Sequence, residues 1–270
     1  MKKMMPKIGL ALGSGGARGM AHLGVLQRLI EWEVPIHCVA GTSIGAIMGG
    51  VFVSGKVAEA VSWVETLDWR KAASLFAEIG IPKTGFIAGR RIEATLRKFI
   101  KARTYRELPL PFATVATDIA TGERVVIDRG SLIQGIHASF SIPGVFMTVS
   151  KNGRQLVDGG LVDPLPVDVC RSLGAEKVIA VDINLTAGGA PERRKKRELP
   201  LFDVLANTVS VIERETVRHS LAKCAPDVFI SPAVGSIATL EFKYAASAIA
   251  AGRAAADEAR DAIMNLWTSS

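Results

Sequence analysis

The chain is poor in the residues that usually announce a cofactor or a staple. It has three cysteines in 270 residues, Cys38, Cys170 and Cys224. They are widely spaced, which gives neither a metal-ligand pattern nor a disulfide framework. Each lies in or beside an apolar stretch, so buried, inert thiols in a reducing cytosol are expected. Histidine is scarce, with four in the chain. A Ser-Asp-His order would need a histidine after Asp158, and only His219 qualifies. Nothing around His219 resembles turn chemistry; it lies in the basic stretch Arg214 to Lys223. His22 and His137 read as structural. No apolar run approaches the ~20 residues of a membrane span. Met1-Lys2-Lys3-Met4-Met5-Pro6-Lys7 looks like the start of a signal peptide. The apolar stretch behind it, Ile8 to Leu12, is too short, and Gly13-Ser14-Gly15-Gly16 with Arg18 interrupts it. A soluble, cytoplasmic protein that touches membranes from outside, at their periphery, is the expectation. No internal repeat is visible.

Apolar residues make up 49% of the chain, enough for a sizeable core, and glycine is abundant at 26. The length suits one α/β unit. The formal charge is +7, which favours acidic partners such as an anionic membrane surface. Much of the excess sits in Arg193-Arg194-Lys195-Lys196-Arg197. A run like this is commonly just a solvated loop. It has no interleaved aromatics and belongs to no recognised nucleic-acid module, so nucleic acid is not an expected partner.

Gly41-Thr42-Ser43-Ile44-Gly45 organises the rest. It follows the apolar run His37 to Ala40 and precedes the small-residue run Ala46 to Val53. Strand, sharp turn and helix is the natural reading. Gly-x-Ser-x-Gly in that setting is the nucleophile-elbow pattern, in which a tight turn lifts the serine hydroxyl clear of the backbone. The plainer reading is a helix-capping serine in an ordinary turn. Upstream, strand Ile8–Leu12 runs into Gly13-Ser14-Gly15-Gly16-Ala17-Arg18-Gly19 and then a helix. That is a place for anion binding. A dinucleotide site would want glycine where Arg18 stands, and a P-loop would end in Gly-Lys-Ser/Thr, which is absent. An oxyanion hole needs only two free backbone amides near a nucleophile. If the first two strands are parallel neighbours, both loops open at one sheet edge.

Further on, helices are expected over Val57 to Leu67, Trp69 to Ala77 and Arg90 to Lys101, with a loop at Pro82 to Gly89, together capping the site. Phe112 to Thr117 and Arg124 to Ile127 read as a hairpin pair. A short helix follows at Ser131 to Ser139. Phe146 to Val149 and Arg154 to Val157 flank Lys151-Asn152-Gly153, a strong hairpin turn. Asp158-Gly159-Gly160 comes directly after a strand, where an acid can project into a site while the backbone turns away. It can equally be a plain Asp-Gly turn. Pro166 to Leu173 reads as a helix capped by Gly174, and Val178 to Asp182 as a buried parallel strand. Thr186 to Leu199 has the composition of an exposed insert. A long helix from Leu201 to Leu221, a last strand at Asp227 to Ile230 and an alanine-rich helix from Leu240 to Trp267 complete the chain.

The glycine loop, the Ser43 elbow and Asp158-Gly159-Gly160 occur in the order of the patatin-like phospholipase family. The chain resembles its bacterial branch, related to the catalytic domain of neuropathy target esterase. Ala116-Thr117-Asp118 with Thr121-Gly122, and Ala138-Ser139-Phe140-Ser141-Ile142-Pro143-Gly144, agree as well. The similarity spans Lys7 to Asn184. One departure is Asp163, where bacterial members often have Asn before the Pro-x-Pro step.

The resemblance implies a Ser-Asp dyad, with Ser43 as nucleophile and Asp158 as its base. It implies an oxyanion hole from Gly15 and Gly16. It gives Arg18 the role of steadying that hole or meeting a lipid phosphate. It implies neither metal nor cofactor. The resulting expectation is one domain over residues 1–270, a three-layer α/β/α patatin-like fold with a mainly parallel central sheet. Its core covers 7–184, its basic insert 186–199 and its C-terminal helices 201–267. The expected activity is hydrolysis of phospholipid or lysophospholipid esters through an acyl-enzyme, with the basic run meeting an anionic membrane surface. Two rivals stand beside it: a triad esterase using His219, and a non-catalytic lipid- or protein-binding module on the same fold.

Overall fold

The computed structural model describes residues 5–66, 90–185, 201–239 and 241–268. The expected helix from Trp69 to Ala77, the loop at 82–89 and the basic insert lie outside them. The described strands form one eight-stranded sheet. Its centre is parallel. Strand β1 (Ile8–Leu12) lies beside β2 (Ile36–Thr42), which pairs in parallel with β3 (Phe112–Asp118). One wing is antiparallel: β4 (Arg124–Ile127) and β6 (Arg154–Asp158) both pair with β3, and β5 (Val149–Lys151) pairs with β6. On the other side β7 (Lys177–Val181) and β8 (Val228–Ile230) continue the parallel set from β1.

Alternation along β1 shows why the two faces differ. Ile8, Leu10 and Leu12 point into a large apolar cluster, while Ala11 faces a smaller one built from Ala40, Ala113, Ala180, Cys38 and Cys170. Successive side chains of a strand alternate faces, so one face presents long side chains and the other short ones. Over the long-side-chain face lie α1 (Met20–Glu31), α2 (Ile44–Val53), α3 (Val57–Glu65), α4 (Arg90–Phe99) and α5 (Leu132–Phe140). Over the small-residue face lie α6 (Val167–Ser172) and, through Val217, α7 (Leu201–Lys223). The chain ends in α8 (Ala245–Glu258), packed on α1, and α9 (Arg260–Thr268).

Two expectations shift. The alanine-rich tail is a 3₁₀ turn at Phe242–Tyr244 followed by two helices that part at Ala259, a turn that leaves Ile263 fully buried. The strand expected at Phe146 to Val149 starts only at Val149. The amides of Val145 and Phe146 both donate to the Ile142 carbonyl, which keeps that stretch in a turn and buries Phe146. The Asn152-Gly153 hairpin has φ of 50° and 77° at its two central residues, the paired positive values of a type I′ turn.

Candidate active site

The elbow is strained. Ser43 has φ 57° and ψ −121° between the end of β2 and the start of α2, a conformation that side-chain-bearing residues rarely adopt. The turn is too tight for any side chain beside it. A methyl on Gly41 would lie 2.4 Å from the Gly45 carbonyl oxygen, and one on Gly45 would lie 2.1 Å from that of Leu12. The Ser43 amide is held from outside by the Ser139 hydroxyl at 2.9 Å.

Asp158 arrives from the antiparallel wing. It ends β6, opposite Ala116 of β3, so strand register carries it to the edge where β2 delivers Ser43. The Ser43 hydroxyl donates to Asp158 Oδ2 at 2.6 Å, and the Gly160 amide donates to Oδ1 at 2.7 Å. The Asp158 backbone is fixed too: its amide donates to the Ser141 carbonyl at 2.9 Å, and its carbonyl accepts from the Thr117 hydroxyl at 2.8 Å. Serine and aspartate are 5% and 1% exposed. Burial pushes the Asp158 carboxyl up to about 6, with the bonds from Ser43 and Gly160 pulling the other way. Desolvation disfavours the charged form, so this carboxyl holds a proton more readily than an aspartate in water.

In the glycine loop, Gly13, Ser14 and Ala17 donate their amides to the carbonyls of Val181, Pro164 and Thr239. The amides of Gly15 and Gly16 have no acceptor among the described residues. Gly16 borders the same two cavities as Ser43, one of them the cleft that also holds Asp158. His22 underpins the loop: its ring Nε2 lies 2.8 Å from the Gly13 carbonyl, and burial lowers its pKa to about 4. The ring is therefore neutral, with Nε2 as the donor.

Arg18 is only 4% exposed. Its Nε donates to the Gly15 carbonyl at 3.2 Å, and its Nη2 to the hydroxyls of Ser210 and Thr239 at 3.2 and 3.4 Å. Of the two tasks the resemblance offers, this geometry fits steadying the loop. It does not fit meeting a lipid phosphate, because the buried guanidinium already spends its donors on Gly15, Ser210 and Thr239. His219 is exposed on α7 and faces the Glu215 carbonyl one turn back at 2.7 Å. Neither it nor His137, which pairs with Glu93 at 2.6 Å, hydrogen-bonds Ser43 or Asp158.

Beside Ser43 opens a cavity of about 530 Å³, within the range of small-molecule sites. Its walls are apolar: Leu23, Met48 and Val51 from α1 and α2, Trp63 from α3, Leu96 from α4, and Phe146. The expected cap thus contributes two of its helices, α3 and α4, to the wall. None of the described helices is long and apolar enough to cross a membrane.

Several residues at the site carried no assigned role in the sequence. Ser139 and Ser141 stand inside a motif block, yet only the fold shows what they touch. Ser210 and Glu213 sit on the buried stripe of α7, three residues apart and ahead of Val217. That spacing of polar residues with a core valine was the one available sign.

Comparison with known proteins identifies the family. The family model described as patatin-like phospholipase matches residues 10–171. An uncharacterized NTE family protein of Mycobacterium tuberculosis is 30% identical, over 95% of this chain and 92% of that protein. Human patatin-like phospholipase domain-containing protein 6 is 34% identical over 65% of this chain, which corresponds to 13% of that much longer protein. Among solved structures, VipD from Legionella pneumophila superposes with a TM-score of 0.53 at 14% identity, over 96% of this chain and 67% of that one. That likeness concerns the fold alone.

Proposed function

The chain belongs to the patatin-like phospholipase family, whose name implies lipid ester hydrolysis, and from that premise we propose that it is a serine acyl hydrolase acting through Ser43 and Asp158. The observation that carries this reading is the 2.6 Å bond from the Ser43 hydroxyl to Asp158 at the wall of an apolar cavity. Ser43 Oγ attacks the ester carbonyl carbon while its proton passes to Asp158 Oδ2. The carbonyl oxygen takes up the electron pair as an oxyanion and is met by the amides of Gly15 and Gly16. Collapse breaks the bond to the alcohol, which leaves with the proton from Asp158. Water then attacks the acyl-enzyme, gives its proton to Asp158, and Ser43 recovers it as the fatty acid departs. No histidine is needed if the carboxylate is basic enough. A pKa raised to about 6 brings it close to the working range of a general base.

The substrate class follows from the wall of the cavity. An alkyl chain gains ~0.8 kcal/mol for each methylene buried, so a long acyl chain is the natural occupant, as in a phospholipid or lysophospholipid. The basic run Arg193 to Arg197 supplies attraction to an anionic membrane surface, and the protein works at the cytoplasmic face of that membrane. Deleting the run should weaken binding to acidic vesicles in a salt-dependent way.

Labelling by a fluorophosphonate probe tests the centre directly. Wild-type protein should be labelled at Ser43 and should hydrolyse p-nitrophenyl esters and lysophospholipids. Ser43→Ala should lose both activities, and Asp158→Asn should lose turnover by at least ~1000-fold while folding normally. Wild-type turnover that survives Asp158→Asn but disappears in His219→Ala would replace the dyad with a triad. A wild-type protein inert to the probe and to esters, yet binding lipid, would make the fold a binding module.

A further inference from the structure

Beyond the family-matched stretch, α7 carries an acid into the interior. Glu213 is 4% exposed and touches both halves of the site. Its Oε2 accepts from Asn184 Nδ2 at 3.3 Å, and the same nitrogen donates to the carbonyl and hydroxyl of Ser14 at 2.9 and 3.1 Å. Through Asn184 the glutamate thus braces the glycine loop. Its Oε1 lies against Gly160. A methyl built on that glycine would stand 2.2 Å from Glu213 Oε1 and 3.1 Å from Asp158 Oδ1, so the two carboxyls flank a single residue. Ser43, Asp158, Gly16 and Glu213 all border one small cleft.

We propose that Glu213 is a positioning residue for the dyad: it braces the Asp158–Gly160 turn against the glycine loop, and its negative charge, when present, drives the serine proton onto Asp158. The proposal rests on the reading of Ser43 and Asp158 given above. Glu213 gives no proton to the substrate.

The charged groups around it decide when that charge is present. Asp158 faces it from the end of β6, Asp182 from the end of β7, and Arg18 from the 3₁₀ turn before α1; Arg214, next on α7, acts on Arg18. Burial raises the Glu213 carboxyl most, Asp158 adds to the rise, and the pKa reaches about 7 although Ser14 and Arg18 pull it down. The two carboxyls therefore give up their protons as a pair, in steps at about 6 and about 7. Once both are ionised, two neighbouring carboxylates repel each other. Moving the serine proton onto Asp158 shifts negative charge off that carboxylate and toward the loop amides, which relieves the repulsion and favours the step.

The pH dependence of probe labelling and of p-nitrophenyl ester hydrolysis, measured between pH 5 and 9, reads this out. Wild-type rates should rise with the first step and rise again with the second. Glu213→Gln should keep the first rise and lose the second, converging with wild type near pH 5 and falling roughly three- to tenfold below it at pH 8. Profiles that coincide at every pH, or a Gln variant slower by one factor throughout, would reduce Glu213 to packing. A second measurement needs no turnover. Both carboxyls have folded pKa values above their unfolded ones, so the stability they confer is complete below roughly pH 4 and is lost as pH rises through about 6 and 7. Unfolding of wild type, Asp158→Asn, Glu213→Gln and the double variant across that window should give a non-additive cycle. An additive cycle would overturn the coupling. Non-additivity in a protein that no probe labels would keep the paired carboxyls and sink the nucleophile reading instead.

Discussion

The stretch covered by the family model, residues 10–171, and the stretch from α7 to α9 meet across the same crevice but contribute different things. The first supplies every group that would touch the ester: the loop amides, the Ser43 hydroxyl and the Asp158 carboxyl. Its pieces are short and rich in glycine, strained at Ser43, and held by backbone bonds. The second supplies side chains that press on those pieces from behind. Ser210, Glu213 and Thr239 form a back wall, with Arg18 reaching across to two of them. Reactive geometry is thus carried by local backbone and kept in place by remote side chains.

The sharpest way to break that division is at the point where the halves touch. Gly16 has φ 61°, and a methyl on it would lie 2.3 Å from the Thr239 carbonyl oxygen. Backbone on both sides leaves no room to yield. Gly16→Ala should cost about 100-fold or more in kcat by disturbing the proposed oxyanion donor, together with about 1–3 kcal/mol of stability. Steady-state kinetics with a denaturation curve would check it. A variant that unfolds easily yet keeps full kcat would mean that the loop amide holds no oxyanion.

Ser139 sharpens the comparison from inside the first half. Its hydroxyl accepts the Ser43 amide and is fully buried. Ser139→Ala leaves that amide without an acceptor in a dry site, at about 1–3 kcal/mol. If Ser43 is the nucleophile proposed above, misplacing it should lower kcat about tenfold or more with KM little changed. A KM effect alone would move Ser139 from the nucleophile to the acyl chain.

Arg18 tests the joint between the halves. Lysine keeps the charge but loses the planar fork that reaches Gly15, Ser210 and Thr239 together. Arg18→Lys should lower kcat/KM about tenfold, equally on a neutral p-nitrophenyl ester and on a phospholipid. A selective loss on the phospholipid would restore the phosphate contact that its burial argues against.

What the sequence made legible divides along the same line. Strand-loop-helix order, the elbow, the Asn152-Gly153 hairpin and the Asp158-Gly159-Gly160 step were readable because each is local: a few neighbours and a backbone requirement decide it. The roles of Ser139 and Glu213 were not, nor was the choice between Arg18's two offered tasks, because their partners lie far along the chain. Ser43 and Ser139 are 96 residues apart, and Arg18 and Thr239 are 221 apart. No periodicity encodes such a meeting; only the sheet order does. The break at Ala259 was hidden for the opposite reason. A run of good helix formers reads as one helix whether or not the core requires a turn there.

Asp163, a departure from the bacterial pattern, gives the smallest expected effect. It sits behind the elbow, where its carbonyl accepts the Thr42 hydroxyl at 2.8 Å and its carboxylate accepts from Arg124 at 2.7 Å. Burial nevertheless wins over Arg124 and raises its pKa to about 6 from 3.8. A raised acid confers stability that is complete below its unfolded pKa and lost as pH climbs through the folded one. The charged form is therefore a net burden at pH 8, even with a partner. Asn has the same shape, keeps an acceptor for Arg124 and carries no charge to desolvate, and Arg124 retains Asp168 at 2.8 Å. Asp163→Asn should stabilise the protein by about 1 kcal/mol at pH 8 and by nothing measurable near pH 4, with turnover unchanged. Urea midpoints at the two pH values decide it. A variant less stable at pH 8 than wild type would show that the ion pair with Arg124 outweighs the cost of burying it.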